Sequence, residues 1–206
     1  LAGRQCLLVT TDILREEIHF PRACTSPFLL GKKCISVNLS DIAAMGGTPR
    51  YYLVSLSAPG KTPLPFIRQL YRGMHCQAKR FNTVLLGGDT TASPEGIAVT
   101  ITMIGTADRD RVVYRHGARA GDHIYVTGTL GDSALGLRML SRSGGRSSRH
   151  RLIRRHLDPM PRVAAGQRLA ACKAASSMID VSDGLVADLR HILEESRVGA
   201  RISLEE

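Results

Sequence analysis

The sequence has no run of about 18 apolar residues, which a helix needs to cross a membrane, and no charged-then-apolar leader opens it. A membrane-spanning or secreted protein is therefore not predicted. The five cysteines are scattered without a CxxC pair, so the spacing of a zinc site or a disulfide framework is missing. We expect free thiols in a reducing cytoplasm.

Aromatic residues make up only 4% of the chain, and its most basic stretch, 138–155, has none. Nucleic-acid grooves usually pair positive charge with stacking aromatic rings, so a solvated surface loop is the favoured interpretation of this stretch. A nucleic-acid-binding protein is the alternative of a different class. The net charge of +10 equally fits smaller anions such as nucleotides and phosphate esters. The arginines of the stretch include Arg142, Arg146, Arg149, Arg151 and Arg154.

Hydrophobic periodicity predicts a mixture of strands and helices without strict alternation. The predicted strands are 6–10, 51–58, 83–86, 97–104, 123–127 and 178–181. The predicted helices are 28–45, 64–80, 163–175 and 185–193, with another through 135–140. This pattern favours an α+β fold in two domains, 1–112 and 113–206, with a polar seam at 108–111. The chain begins at Leu1 rather than Met and stops after a strand-like stretch, so we interpret it as part of a longer protein.

Four segments place Asp beside Gly, Ser or Thr, at a strand end or on a helix. Magnesium prefers such oxygen ligands, and carboxylates from separate elements can hold ions whose shells are completed by phosphate oxygens. The carboxylate of Asp41 lies on an apolar helix face, where a charge is costly unless it is paired or coordinated. Singly, each Asp could be a helix cap or a turn residue; together they predict a shared metal–phosphate site. The segments are Thr10-Thr11-Asp12, Asn38-Leu39-Ser40-Asp41, Gly87-Gly88-Asp89-Thr90-Thr91 and Asp180-Val181-Ser182-Asp183-Gly184.

These segments, in this order, give the chain a resemblance to the thiamine-monophosphate kinase family of the aminoimidazole ribonucleotide synthetase superfamily. The resemblance covers nearly the whole chain. Its motifs are TTDILREEIHF (10–20), VNLSDIAAMGGTP (37–49), LLGGDTT (85–91), RHGARAGDHIYVTGTLGDSALGL (115–137), RHLDPMPRVAAG (155–166) and IDVSDGLVADLRHIL (179–193). Glu17 departs from the family pattern, which usually has Gly there.

The resemblance implies transfer of the γ-phosphoryl group of ATP to thiamine monophosphate, with several magnesium ions, by direct in-line displacement. It implies the superfamily's two-domain α+β fold, with mixed sheets flanked by helices, and a homodimer whose sheets meet near the ATP site. Sibling enzymes that make aminoimidazole ribonucleotide or selenophosphate remain the alternative within the superfamily. His19, which by itself is better interpreted as structural, becomes a contact of the thiamine phosphate. The implied metal ligands are Thr10, Thr11, Asp12, Asp41, Asp89, Asp180 and Asp183, and the implied ATP contacts are Tyr71, Gly88, Asp89, Arg115 and Ser182.

Overall fold

A computed structural model describes residues 3–143 and 150–203, and there the chain forms a four-stranded sheet and six α-helices. The strands are β1 (Gln5–Arg15), β2 (Thr48–Ala58), β3 (Val84–Ala92) and β4 (Ala98–Asp108). The helices are α1 (Pro27–Ala44), α2 (Leu64–Arg80), α3 (Asp132–Ser143), α4 (Arg151–Leu157), α5 (Val163–Ala171) and α6 (Leu185–Ser196). A short 3-10 helix, Arg22–Cys24, follows β1.

The sheet has the strand order β1-β4-β2-β3. Strand β4 runs antiparallel to β1 and β2, whereas β2 and β3 are parallel and are joined through α2. Successive side chains of a strand point to opposite faces, so one face of β1, β2 and β4 is buried against helices. The other face carries the exposed positions, which include apolar side chains on β1 and β2.

Helix α1 is the central element, because it packs on the sheet, on α2 and on α5. It begins at Pro27, whose fixed φ and missing N–H suit a first helical turn. It ends before Gly46, which has a φ of +69° and so makes a left-handed turn at little cost. Buried side chains such as Leu30 and Leu39 lie in the main core between α1 and the sheet.

Two glycines let α1 and α2 approach closely. A Cβ atom added at Gly31 would lie 2.0 Å from the carbonyl oxygen of Leu70 on α2. A Cβ atom added at Gly73 would lie 1.9 Å from the carbonyl oxygen of Phe28 on α1. No side chain fits between backbones at these distances, so the glycines determine how tightly the two helices cover the sheet.

Helices α4 and α5 pack against α1 at different places, α4 beside Lys32 and Lys33 and α5 beside the last turn. Helix α5 approaches so closely that a Cβ atom added at Gly166 would lie 2.0 Å from the carbonyl oxygen of Ala43. Helices α3 and α4 enclose a small core of their own, formed by Leu140, Ile153 and Leu157. This arrangement leaves a cleft between the end of α1, strand β1 and the segments around residues 115 and 180.

The structure confirms the α+β fold class, and α2 spans the predicted residues 64–80. The predicted helix 28–45 is observed as Pro27–Ala44. The predicted strands 123–127 and 178–181 are wrong for the described residues, where neither segment belongs to a sheet. Their apolar content suits a strand, but a strand also needs a neighbour to pair with its backbone.

The predicted surface loop at 138–155 is wrong where the structure describes it, because residues 138–143 belong to α3 and residues 151–155 to α4. Residues 144–149 between these helices lie outside the described residues, and so do residues 1–2 and 204–206. None of the helices in the described ranges combines the length and apolarity that crossing a bilayer requires.

Candidate active site

The cleft beside α1 has a volume of about 360 Å³ and collects several of the predicted site residues. Strand β1 contributes Thr10, and the last turn of α1 contributes Asp41. The segment after β4 contributes Arg115, and the segment before α6 contributes Asp180. The structure therefore brings together residues that are up to 170 positions apart in the sequence.

Three carboxyl groups lie close enough in this cleft to perturb one another. Burial raises the pKa of Asp12, and the charge of Asp180 raises it further. Burial also raises the pKa of Asp41, with a further increase from Asp12. The pKa of Asp180 is raised by burial and by the charge of Asp41. The site thus concentrates negative charge that no equal positive charge offsets, which is a condition that a divalent cation relieves.

Hydroxyl groups hold two of these carboxylates in place. Thr10 donates a hydrogen bond from its hydroxyl to the Asp41 carboxylate, and this bond counteracts part of the increase in the pKa of Asp41. A hydrogen bond from Ser40 likewise counteracts part of the increase in the pKa of Asp180. The guanidinium of Arg115 also lowers the pKa of Asp41, but its effect is smaller than the effects of burial, of the Thr10 hydrogen bond and of the Asp12 charge. Arg115 therefore adds positive charge to the cleft.

The donor set fits magnesium, because all of its members are hard oxygen ligands on separate elements. Among the described residues, however, no three acidic, histidine or cysteine side chains are already gathered into a metal-binding group. Phosphate oxygens and water would complete the coordination shell, as is usual for magnesium.

The turn before α6 is organised by Asp188, which is not among the predicted site residues. The carboxylate of Asp188 accepts three backbone hydrogen bonds, from the amides of Ser182, Asp183 and Gly184, at 2.9, 3.1 and 3.0 Å. Asp188 is buried, whereas Ser182 and Asp183 are exposed. The turn thus leaves the side chains of Ser182 and Asp183 accessible to a ligand. The signal for Asp188 was present, since an acidic residue in the first turn of a helix suits the free amides there.

His19 lies in a tight turn that fixes the direction of its ring. The backbone amide of Arg15 donates a hydrogen bond to Nδ1 of His19 at 2.9 Å, and the amide of His19 donates back to the carbonyl of Arg15. Because Nδ1 is an acceptor, the neutral ring carries its proton on Nε2. His19 therefore presents an N–H donor on the side away from the turn, as contact with a phosphate oxygen requires.

Besides His19, Ser182 and Asp183, which lie in the turns described above, four predicted site residues are not brought to the cleft by any described contact. The hydroxyl of Thr11 lies 3.2 Å from that of Thr102, on the exposed face of the sheet. Tyr71 packs against the main core, and its charge helps to raise the pKa of Tyr52. Asp89 pairs with an exposed position of β2, and its strand is separated from β1 by two others, a distance of about 14 Å.

Gly88, the fourth of these residues, has a structural explanation of its own. A Cβ atom added there would lie 1.8 Å from the carbonyl oxygen of Val54 on the neighbouring strand. Any side chain at this position would therefore force β3 away from β2. The close approach of the two strands accounts for this glycine independently of a bound phosphate.

Glu17, which stands where the resembled family usually has Gly, adopts a φ of +60°. This left-handed conformation is the one that glycine adopts without strain. The Glu17 carboxylate accepts a hydrogen bond from the amide of Arg22 at 3.3 Å. It also lines an open groove of about 570 Å³ together with Glu16, Arg22 and Phe66. The substitution therefore keeps the turn and adds a negative charge two residues from His19.

Comparisons with known proteins place this geometry in a family. The thiamine-monophosphate kinase of Bacillus subtilis (strain 168) is 39% identical over 199 residues, which cover 95% of this chain and 61% of that protein. The thiamine-monophosphate kinase of Escherichia coli (strain K12) is 39% identical over 204 residues, which cover 98% of this chain and 61% of that protein. The chain therefore spans about three fifths of the length of these relatives, in line with its interpretation as part of a longer protein.

Solved structures agree with the sequence comparison. The thiamine-monophosphate kinase from Stenotrophomonas maltophilia K279a matches with a TM-score of 0.87 and 37% identity, over 96% of this chain and 63% of that one. The structure described as AaThiL complexed with AMPPCP and TMP matches with a TM-score of 0.86 and 36% identity, over 94% of this chain and 61% of that one. These matches extend across both the sheet and the C-terminal helices.

Two family models match consecutive parts of the chain. The model for the N-terminal domain of AIR synthase related proteins matches residues 1–107, and the model for their C-terminal domain matches residues 119–206. The chain belongs to the AIR synthase related protein family.

Proposed function

We propose that the protein containing this chain transfers the γ-phosphoryl group of ATP to thiamine monophosphate and so forms thiamine diphosphate. The observation that carries the proposal is the cluster of Asp12, Asp41 and Asp180, whose pKa values are all raised by burial and by neighbouring carboxyl groups. The relatives named thiamine-monophosphate kinase, and the similar structure described with AMPPCP and TMP, support the choice of substrates.

Thr10, Asp12, Asp41 and Asp180 would hold magnesium ions in the cleft, with Asp183 available from the turn before α6. Bound magnesium supplies charge neutralisation for the phosphate oxygens during transfer. The protein holds the ligands through the hydroxyls of Thr10 and Ser40, and Asp188 shapes the turn that presents Ser182 and Asp183. Arg115 faces the same cleft, where its guanidinium suits phosphate oxygens of ATP.

His19 orients the acceptor by donating its Nε2–H to the phosphate of thiamine monophosphate. That phosphate is already ionised at neutral pH, so its oxygen attacks in line without a side chain that removes a proton. Catalysis then depends on positioning the two substrates and on neutralising the charge of their phosphates, and the residues of the cleft and of the His19 turn supply both. The groove lined by Glu16 and Glu17 adjoins this turn and suits the cationic ring of thiamine.

The test uses the full-length protein with magnesium and ATP, offered thiamine monophosphate, formylglycinamidine ribonucleotide or selenide in separate reactions. Thiamine diphosphate and ADP should form in equal amounts in the first reaction alone. Asp41→Asn should abolish turnover, whereas Asp110→Asn, at an exposed position, should not. Turnover with another acceptor would move the protein to a sibling activity. A wild-type protein that consumes no ATP with any acceptor would refute the proposal and favour a binding protein.

The exposed face of the sheet supports a homodimer. Its apolar side chains alternate along β1 and β2, and Leu7, Val9, Ile13, Tyr51 and Leu53 are between 36% and 60% exposed. An apolar sheet face of this kind is unstable in water unless another surface covers it, and a second copy of the sheet has the matching shape and twist. Leu7→Asp should convert a dimer into monomers in sedimentation experiments, and Leu7 does not line the cleft.

The dimer also gives a role to Asp89, which lies about three strand spacings from β1 within its own chain. We propose that Gly88 and Asp89, with Tyr71, act on ATP in the site of the partner copy. Mixed Asp41→Ala and Asp89→Ala subunits should then recover about a quarter of wild-type turnover, because each heterodimer keeps one intact site. Mixtures as inactive as the separate variants would place Asp89 in the site of its own chain.

Two further proposals concern organisation and location. We propose a domain boundary at residues 112 and 113, between the end of the sheet and the segment that carries Arg115. We also propose a cytoplasmic location, because all five cysteines are free thiols and a reducing compartment preserves them.

A further inference from the structure

Helix α1 carries two adjacent lysines, Lys32 and Lys33, that are only 8% and 9% exposed. Buried ammonium groups are costly unless they are paired. Lys32 is paired, since its Nζ atom lies 2.6 Å from the carboxylate of Asp158. Among the described residues, Lys33 has no such carboxylate. It contacts two neutral acceptors instead, the carbonyl oxygen of His19 at 3.3 Å and Nε2 of His156 at 3.2 Å.

The hydrogen bonds of His156 have a defined direction. An ammonium group can only donate, so Nε2 of His156 is the acceptor from Lys33 and the ring proton lies on Nδ1. Nδ1 then donates to the hydroxyl oxygen of Ser133, 3.1 Å away at the beginning of α3. Burial first, and then the charge of Lys33, lowers the pKa of His156 to about 4, against a smaller opposing effect of the His19 backbone, so the ring is neutral at physiological pH.

Lys33 therefore contacts two separate parts of the fold. Its bond to the carbonyl of His19 supports the turn in which the Arg15 amide fixes the ring of His19, the residue that the resemblance assigns to the thiamine phosphate. Through His156 it also holds Ser133, the second residue of α3. The hydroxyl proton of Ser133 is not used by His156, and the side chain is exposed.

We propose that Lys33 is a positioning residue for phosphoryl transfer, which fixes the acceptor-binding turn of His19 relative to Ser133 across the boundary between the sheet and the C-terminal helices. The inference rests on the proposed function, since it assigns a task to Lys33 in that reaction. A purely structural role would be met better by an apolar side chain, because the buried charge has no carboxylate to balance it among the described residues.

The test compares Lys33→Met with Lys32→Met in the full-length protein. Lys33→Met should raise the KM for thiamine monophosphate about tenfold, the effect of losing one charge-assisted hydrogen bond, and leave the KM for ATP within about twofold. Lys32→Met is the matched control, because it removes a buried lysine from the same helix and leaves the His19 carbonyl untouched. Lys33→Arg keeps the charge and should restore part of the acceptor affinity; it also serves if Lys33→Met does not fold.

A second measurement does not depend on activity. Nitrogen-15 spectra of labelled histidines should show His156 with its proton on Nδ1 in the wild type and in Lys32→Met, and a loss of this preference in Lys33→Met. An unchanged His156 tautomer, or an equal rise in acceptor KM for the two methionine variants, would overturn the inference. A wild-type protein that does not phosphorylate thiamine monophosphate would overturn the proposed function, and the role of Lys33 with it. If the wild type phosphorylates thiamine monophosphate and Lys33→Met has the same KM for it, the role of Lys33 is overturned and the proposed function stands.

Discussion

Replacing Lys33 by Met should stabilise the protein at neutral pH and destabilise it at high pH. Burial lowers the pKa of Lys33 from 10.5 to about 8. A lysine with a lowered pKa is destabilising while it is charged, so its full cost is present below pH 8. The cost disappears as the pH rises from about 8 to about 10.5, because the unfolded chain binds more protons than the folded chain in that range. The free energy of unfolding contributed by Lys33 therefore rises with pH.

The magnitude follows from the size of the shift. The decrease in pKa from 10.5 to about 8 corresponds to a cost of about 3 kcal/mol for holding the charged lysine in this site. Met fills a similar volume without charge, but it loses the two hydrogen bonds to His19 and His156, at about 1 kcal/mol each. Lys33→Met should therefore be about 1 kcal/mol more stable than the wild type at pH 7 and about 2 kcal/mol less stable near pH 10.5.

Urea unfolding followed by circular dichroism, at several pH values from 7 to 10.5, measures this difference. Burial raises the pKa of the Cys34 thiol to about 12, and the charge of Lys33 lowers it in part. Loss of Lys33 can only raise that pKa further, so the folded thiol stays protonated up to pH 10.5 in both proteins and adds little to the comparison. Lys61→Met, at an exposed position, controls for the loss of one positive charge. A difference for Lys33→Met that does not change with pH would refute the reasoning, because it would mean that the buried ammonium carries no cost.

In the absence of metal, Asp41→Asn should raise the melting temperature at pH 7, because burial raises the pKa of this carboxyl and its ionised form is destabilising. Magnesium should then stabilise the wild type and Asp110→Asn in thermal melts, but not Asp41→Asn. Gly166→Ala should lower the free energy of unfolding by about 2 kcal/mol in urea, because its Cβ would lie 2.0 Å from a carbonyl oxygen of α1, whereas Gly199→Ala, in open space, should change it by less than about 0.5 kcal/mol. Asp188→Asn should weaken ATP binding in calorimetry, since the uncharged side chain no longer holds all three amides of the turn before α6.

The sequence predicted those elements whose apolar pattern matches their burial. Helix α2 is an example, because Leu70, Met74 and Ala78 recur at helical spacing and are all buried. Strand β1 is longer than predicted, since its polar residues 10–12 conceal a strand that continues to Arg15. One segment does not show whether a neighbouring strand will be present to pair with it. The apolar segments 123–127 and 178–181 were therefore wrongly predicted as strands.

The site was predicted in part for a similar reason. Asp12, Asp41 and Asp180 could be proposed as a group because each stands in a motif with oxygen ligands beside it. Lys33 could not, because it acts through contacts with residues 14 and 123 positions away, and no local pattern distinguishes it from Lys32. The two lysines are almost equally buried, and they differ in the partner that the end of α4 brings to each, Asp158 for Lys32 and His156 for Lys33.

Strand β1 connects the two surfaces that the proposed reaction needs. Its alternation directs Thr10 and Asp12 towards the cleft and places Val9 and Thr11 on the exposed face. A shift of one residue in its pairing with β4 would exchange the two sets, so the register Thr10↔Met103 is required both for the carboxylate cluster and for the apolar face. If that face joins two copies, Leu7→Asp, which lies on the same face but does not line the cleft, should also reduce turnover, because Asp89 of each chain would be withdrawn from the site of the other. A monomeric Leu7→Asp protein with wild-type turnover would show that one chain contains every group the reaction uses.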